Sequence, residues 1–415
     1  MKQVWILNHY AQEPGGAGGT RHFHLAKYLQ GLDWQVTVIA ASVELNSGRQ
    51  RLHPDEVLRY ERIEGIPFLW VRTPEYRGNG SGRMRNMLAY MWRAILRRTT
   101  QQLPRPDVVF GSSVHPFAAV AAALLARRFK VPFVFEVRDL WPQTLVDMGR
   151  LRERAFMTWA LRKLELWLYR RAANIVVLLP RAWEYIAPLG IPKERIIWIP
   201  NGVDLSLFPP SEVPARSSSG PFTLMYFGAH GQANALDNVL EAMKLVQDRQ
   251  QSPHIRLRLI GDGPLKPILM AQAKRLELEN VNFEPPVPKS QIPDLASEAD
   301  AFVIPVPDLP KLYRYGISPN KLFDYLAAER PIIIATGVAD NPVAVAGAGL
   351  SVVAGHPIEL ADAILKMALT PQEERKRMGR AGREYVEKNH DFRQLSSRLA
   401  AMLNDVSELQ FSLKK

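Results

Sequence analysis

Val4-Trp5-Ile6-Leu7, the loop Gly15-Gly16-Ala17-Gly18-Gly19, then Phe23, Leu25, Ala26 and Leu29, then the apolar run 35–40: this opening stretch decides the fold. A short apolar strand, a glycine turn, a helical face and a second apolar strand are the start of a parallel sheet covered on both faces. The alternation continues. Strands are predicted at 68–72, 108–110, 133–137, 175–179 and 196–199, with helical patterns between them. Residues 117–125 form an apolar run that stops at Arg127-Arg128 and reads as a buried helix. No run reaches the roughly 20 apolar residues of a membrane span.

From Pro200-Asn201-Gly202-Val203-Asp204 to Gly220 the chain is rich in turn residues, which places a domain boundary there. The pattern then restarts, with strands predicted at 222–227, 256–260, 281–283, 301–304 and 331–334. The expectation is an α/β protein of two Rossmann-like domains, 1–205 and 221–383, joined by a linker at 206–220. The last amphipathic stretch, 384–415, has no strand after it and is expected to cross back to the first domain. A length of 415 residues suits two domains.

The formal charge is +12, from 53 Lys+Arg and 41 Asp+Glu. Residues 1–209 hold 29 basic and 17 acidic side chains, and residues 210–415 hold 24 of each. The whole excess therefore lies in the first half and asks for an anionic partner there. Cysteine is absent, which excludes disulfides, thiolate metal sites and cysteine nucleophiles. Val4–Leu7 is too short for a signal-peptide core.

Two local patterns carry chemistry. A glycine loop between a strand and a helix N-terminus presents free N–H groups to an anion, or is simply a tight turn. It is not the dinucleotide fingerprint, because the third glycine position is Arg21. No P-loop occurs. The second pattern is Ser318-Pro319-Asn320-Lys321-Leu322-Phe323-Asp324-Tyr325-Leu326-Ala327-Ala328. Ser318 is predicted as the N-cap and Pro319 as a first-turn residue. Asn320 and Lys321 then sit at the helix mouth, where an ammonium and the helix dipole can meet a diphosphate. Asp324, one turn further in, can reach ribose hydroxyls. An ordinary capped helix with a surface lysine is the alternative.

These residues also carry a resemblance. The chain resembles family 4 glycosyltransferases of the GT-B fold, in motifs spread in order along nearly its full length. They are the glycine loop, Ser113-Val114-His115-Pro116, Glu136-Val137-Arg138-Asp139-Leu140-Trp141-Pro142, Ile199-Pro200-Asn201-Gly202-Val203-Asp204, Tyr226-Phe227-Gly228, Ile260-Gly261-Asp262-Gly263-Pro264, Asn280-Val281-Asn282-Phe283 and 318–328. The Arg-Asp-Leu-Trp-Pro and Pro-Asn-Lys segments are similar to the bacterial O-antigen and capsule branch, including L-fucosamine-type transferases.

The resemblance implies two domains facing across a cleft and retaining transfer from a nucleotide sugar. It matches Asp324 to a ribose-holding acid, and His115 to a histidine near the donor sugar. Gly261, Gly263 and Pro264 match a loop near the base, and Gly16 and Gly18 a loop near the donor phosphates. Two departures stand out. Gly316 occupies the position of the first acid of the family's E-x7-E pair. The basic residues usual after the second domain's first strand are replaced by Ala229, His230 and Asn234-Ala235. Lys321 and Arg314 are then the candidates for phosphate charge, with Gly228 and His230 at the turn. No D-x-D metal motif occurs, so no metal is expected. Glu136 and Asp139 are candidates to orient or deprotonate an acceptor hydroxyl; a turn-capping role is the alternative for Asp139.

The basic excess has two candidate carriers. Met84, Met87, Leu88, Met91, Trp92 and Ile95 recur at helical spacing among Arg83, Arg85, Arg93, Arg97 and Arg98. Residues 150–171 repeat the theme around Phe156, Trp159 and Trp167. Such helices suit an anionic membrane surface, or face a core with solvated arginines. No nucleic-acid-binding signature occurs.

The expected activity is transfer from a UDP-sugar, carrying an N-acetylated amino or deoxyamino sugar, to a lipid-linked saccharide at the cytoplasmic membrane face, for a surface polysaccharide. A non-catalytic membrane-bound subunit, or an epimerase or phosphorylase of the same fold, are the alternatives. The sequence leaves oligomeric state open.

Overall fold

The computed structural model describes the chain except residues 15–18, 46–47, 77, 79, 210–219, 250–252 and 413–415, and the backbone only of 409–412. Two compact units are present: residues 1–201 together with 392–415, and residues 202–391. The division falls at Gly202, within the turn-rich stretch but before the expected linker.

The first unit is built on strands β1 (Lys2–Leu7), β2 (Trp34–Ala41), β3 (Leu58–Ile63), β4 (Ile66–Val71), β5 (Val108–Ser113), β6 (Phe133–Val137), β7 (Asn174–Val177) and β8 (Ile196–Trp198). They form one sheet in the order β3-β4-β2-β1-β5-β6-β7-β8. Every pairing is parallel except β3 with β4, an antiparallel edge. β3 has no counterpart among the predicted strands. As an edge strand it shows only half-buried and exposed positions, so it lacks the apolar run that marks a central parallel strand.

Helices cover both faces of this sheet. On one face lie α1 (Arg21–Leu29) and the C-terminal helix Phe392–Ser412. Phe23, Leu25 and Leu29 meet Leu395, Leu399 and Leu403 in one core with Val4, Ile6, Val36 and Val38. On the other lie α2 (Ser81–Ala94), α3 (Pro116–Phe129) and α4 (Phe156–Arg171), with α3 packed between α2 and α4. Alanines at 118, 119, 121, 122 and 126 are buried, which lets α3 lie close on the sheet. A side chain at Gly111 of β5 would meet Ala122 Cβ at 2.7 Å and Ala119 Cα at 2.9 Å, so strand and helix touch there backbone to backbone.

The second unit repeats the plan with β9 (Phe222–Phe227), β10 (Ile255–Ile260), β11 (Val281–Glu284), β12 (Ala301–Pro305), β13 (Ile332–Ala335) and β14 (Gly349–Val352). The order is β11-β10-β9-β12-β13-β14, all parallel. α5 (Leu236–Gln247) and Leu360, Ile364 and Met367 of α7 (Pro357–Leu369) fill one face. α6 (Asn320–Ala327) and Val386 of α8 (Gln372–Asn389) fill the other. The C-terminal run is therefore two helices: α8 stays with the second unit, and α9 (Phe392–Ser412) is the one that returns. Neither it nor any other helix among the described residues is long and apolar enough to cross a membrane.

Candidate functional site

Parallel α/β sheets bind ligands beyond the C-terminal ends of their strands. In the second unit those ends carry Gly228 after β9, Gly261 and Gly263 after β10, and the mouth of α6. The loops press together. A side chain at Gly261 would lie 2.0 Å from Gly228 O, and one at Gly263 would lie 2.5 Å from His230 O. His230 N–H donates to Asp262 O at 2.9 Å, and Leu265 N–H to His230 O at 3.0 Å. The glycines and Pro264 thus belong to a rigid two-loop seat.

Lys321 closes over this seat. Its ammonium donates to Tyr226 Oη and to Asn234 Oδ1, each at 2.5 Å, and lies 4.2 Å from the Tyr226 ring centre. A Cβ at Gly228 would be 3.0 Å from Lys321 Nζ. So a lysine from the start of α6 occupies the turn after β9, where local sequence supplies no cation. Burial pulls its pKa down to about 7. α6 is aimed by Tyr325, whose hydroxyl donates to Phe227 O at 2.9 Å and accepts from Phe227 N–H at 2.7 Å. His230 is fully buried, and neither ring nitrogen has a hydrogen-bond partner among the described residues. Burial and the nearby Lys266 lower its pKa to about 4, so it offers one N–H and no charge.

Several expectations shift here. The N-cap of α6 is Pro319, in extended conformation, and no side chain caps the helix, so Ser318 precedes the cap. Asn320 is exposed at the mouth. Asp324 is buried, with Lys289 Nζ 3.5 Å from its Oδ1; sequence spacing does not reveal that partner. Arg314 is exposed with its guanidinium 4.6 Å from the ring of its neighbour Tyr315, so the cation at the turn is Lys321. Gly316 adopts φ +103°, a left-handed value that an acidic residue would hold only under strain. The missing acid is thus built into the backbone.

In the first unit the C-terminal ends of β1, β5 and β6 gather His9, His115 and Glu136. Glu136 is not the acceptor-facing group that its position after an apolar run suggests. It is completely buried and takes hydrogen bonds from Arg21 Nε (2.8 Å), His22 Nε2 (2.8 Å) and Ser112 Oγ (2.6 Å). Burial alone would raise its carboxyl, but Arg21 and His22 outweigh that and hold it well below the ordinary value. Arg21 also donates to Pro200 O and Ile199 O, tying α1 to the end of the unit. Breaking a buried pair of this kind costs about 3–5 kcal/mol. Glu136 is a structural node. Asp139 is exposed and shares the lining of a pocket with Ser113, Trp141 and Glu165.

His115 is buried at the N-cap of α3, and its Nε2 lies 2.6 Å from His9 Nδ1. His9 stacks between Tyr10 (4.3 Å) and Tyr90 (4.7 Å), and its Nε2 lies 2.6 Å from Asn86 Oδ1. Gly16 and Gly18 lie outside the described residues. Their neighbour Gly19 faces Arg138, whose Nη2 would be 3.3 Å from a Cβ there.

The α2 stripe divides. Met87 is buried with Tyr90 and Ala94, while Met84, Leu88 and Trp92 are exposed and Met91 is half-buried. Met87 therefore serves the core and not a membrane. Arg83 donates to Tyr10 Oη and Arg93 to Arg72 O, so both are engaged along the protein. Arg85, Arg97 and Arg98 are exposed. On α4, Phe156 (78% exposed) stacks on Trp159, with Lys163 beside the indole.

Residues 16–202 match the family described as Glycosyl transferase 4-like domain, and residues 221–369 that described as Glycosyl transferases group 1. Among curated proteins, a probable glycosyltransferase WbjE of Pseudomonas aeruginosa is 23% identical over 62% of this chain and 64% of its own length. A putative colanic acid biosynthesis glycosyl transferase WcaI of Escherichia coli K12 is 21% identical over 59% of this chain and 62% of its own. The chain thus spans just under two thirds of each of these relatives. Among solved structures, a sucrose-phosphate synthase from Thermosynechococcus elongatus superposes with a TM-score of 0.75 at 15% identity, covering 98% of this chain and 99% of that one. Anabaena HepE in complex with UDP-glucose gives 0.67 at 14% identity, covering 98% and 100%. At such identities the likeness establishes the shared fold, GT-B.

Proposed function

Because the chain belongs to the family 4 glycosyltransferases, we propose that it transfers a sugar from a UDP-sugar to a lipid-linked saccharide in bacterial surface-polysaccharide synthesis. The sugar is an N-acetylated amino or deoxyamino sugar, and the transfer retains anomeric configuration without a metal. The observation that carries this reading is the Lys321 ammonium at the Gly228 turn, beside the mouth of α6. A departing diphosphate needs fixed positive charge there, and a buried ammonium supplies it without reorganisation. The HepE complex with UDP-glucose and the polysaccharide roles in the relatives' names support the donor and pathway class. Asp324 serves the ribose and His230 donates one hydrogen bond. Asp139, exposed just past the end of β6, orients the acceptor hydroxyl, whose proton passes to the leaving phosphate.

The acceptor's lipid argues for a membrane surface. α2, α3 and α4 lie side by side and carry nine Arg and Lys against one carboxylate, Glu165, which is buried. Trp92, Phe156 and Trp159 are the exposed apolar anchors of this layer. The enzyme would work on the cytoplasmic face of the membrane.

Calorimetry with UDP tests the donor site. Lys321→Met is expected to weaken binding by about tenfold or more, the loss of a charge-assisted contact. An unchanged Kd in a folded variant overturns the assignment.

A further inference from the structure

A chain of buried polar contacts runs from α2 to His115, and its direction can be read. Asn86 Nδ2 lies 2.6 Å from Pro74 O. A carbonyl only accepts, so this contact fixes the amide with its nitrogen toward Pro74 and its oxygen toward His9. Asn86 Oδ1 is then an acceptor facing His9 Nε2 at 2.6 Å. His9 Nε2 must carry the proton. His9 is fully buried, and burial, reinforced by Arg83, lowers its pKa to about 3. With one ring proton, its Nδ1 is bare and accepts. Its neighbour at 2.6 Å, His115 Nε2, must therefore be the donor. His115 is held neutral in the same way: by burial first, then by His9 and Arg83. Its second nitrogen, Nδ1, is buried, carries no proton, and has no hydrogen-bond partner among the described residues.

We infer that Asn86 and His9 are positioning residues that lock His115 in the Nε2–H tautomer, so that its Nδ1 is a fixed hydrogen-bond acceptor for a hydroxyl or amide N–H of the bound substrate. Without the chain, neutral imidazole would distribute its proton over both nitrogens. A lone-pair acceptor rejects a carboxylate or keto oxygen at the same point, because two acceptors face each other with no hydrogen between them. The stack of His9 between Tyr10 and Tyr90 holds its ring plane, and Tyr90 is itself anchored by donating to Ile39 O at 2.6 Å. None of this rests on the identity of the donor. Only the arrival of a substrate hydroxyl or amide at Nδ1 rests on the proposed function.

Long-range proton–nitrogen correlation spectra of histidine-labelled, ligand-free protein test the inference, with His115 assigned from a His115→Gln spectrum. In the wild type His115 should show one pyrrole-type nitrogen, Nε2, and one pyridine-type nitrogen, Nδ1. In Asn86→Leu and in His9→Phe, which keeps an aromatic ring between the two tyrosines, the His115 pattern should change to a mixture of tautomers or to Nδ1–H. A wild-type His115 protonated at Nδ1, or a pattern unchanged in both folded variants, overturns the inference. A locked tautomer in a chain that fails to bind UDP would leave the inference standing and defeat the donor reading instead.

Discussion

At the scale of single residues, the donor reading of the second unit turns on one half-buried lysine. Lys321 has a pKa near 7 in the free protein because burial disfavours its charge. A bound diphosphate favours that charge and raises the pKa. UDP affinity should therefore be greatest below pH 7 and fall as pH rises from 7 toward 9, with proton uptake on binding in that window. Calorimetry in two buffers of different ionisation enthalpy measures both, and Lys321→Met should show neither. A wild-type affinity flat across this range would argue against the lysine. The residue was legible in sequence as a lysine at a helix mouth. Its partners Tyr226 and Asn234 were not, since they lie 95 and 87 positions away and no periodicity links them. Glu136 shows the opposite failure. An acid at the end of a strand looks available to a substrate, and only the structure shows Arg21, His22 and Ser112 already consuming it. His9 and Asn86 gave no local signal either, because the relay they make joins three separate segments.

At the scale of elements, α9 is the piece whose start the amphipathic pattern does not locate. The amphipathic run beginning near residue 384 spans two helices with different allegiances, parted at His390-Asp391. Amphipathic spacing is the same whichever core a helix serves, so spacing cannot find that break. Phe392, Leu395, Leu399, Met402, Leu403 and Val406 are all buried against the first sheet. At roughly 1.5–3 kcal/mol for each fully buried large side chain, their loss is comparable to the whole stability of an ordinary domain. A chain ending at residue 391 should lose the folded first unit while keeping the second. Limited proteolysis should then yield a resistant fragment within 202–391; protection of residues 1–201 in the truncated chain would refute this. Parallel strands were legible because their runs are continuously apolar. β3 and β14 escaped; neither has a single fully buried position.

At the scale of the whole molecule, the charge split seen in sequence has a structural counterpart. The three-helix layer over the first sheet holds nine cationic side chains and no exposed carboxylate. Cosedimentation should show binding to vesicles containing anionic lipid and little to neutral ones, weakening as salt screens the contact. Trp92→Glu with Trp159→Glu should abolish binding while leaving UDP affinity intact; vesicle binding unchanged in that pair would remove the layer from consideration. The one acid of these three helices, Glu165, is buried, and burial pushes its pKa up to about 7. Eight of the layer's nine cations are arginines, which keep their charge at every physiological pH. Glu165 thus adds no exposed carboxylate, and the exposed acid beside the layer, Glu153, is held by Arg162 Nη2 at 2.6 Å. Adhesion through this face would therefore answer mainly to ionic strength, because eight of its nine positive charges are guanidinium groups that stay ionised.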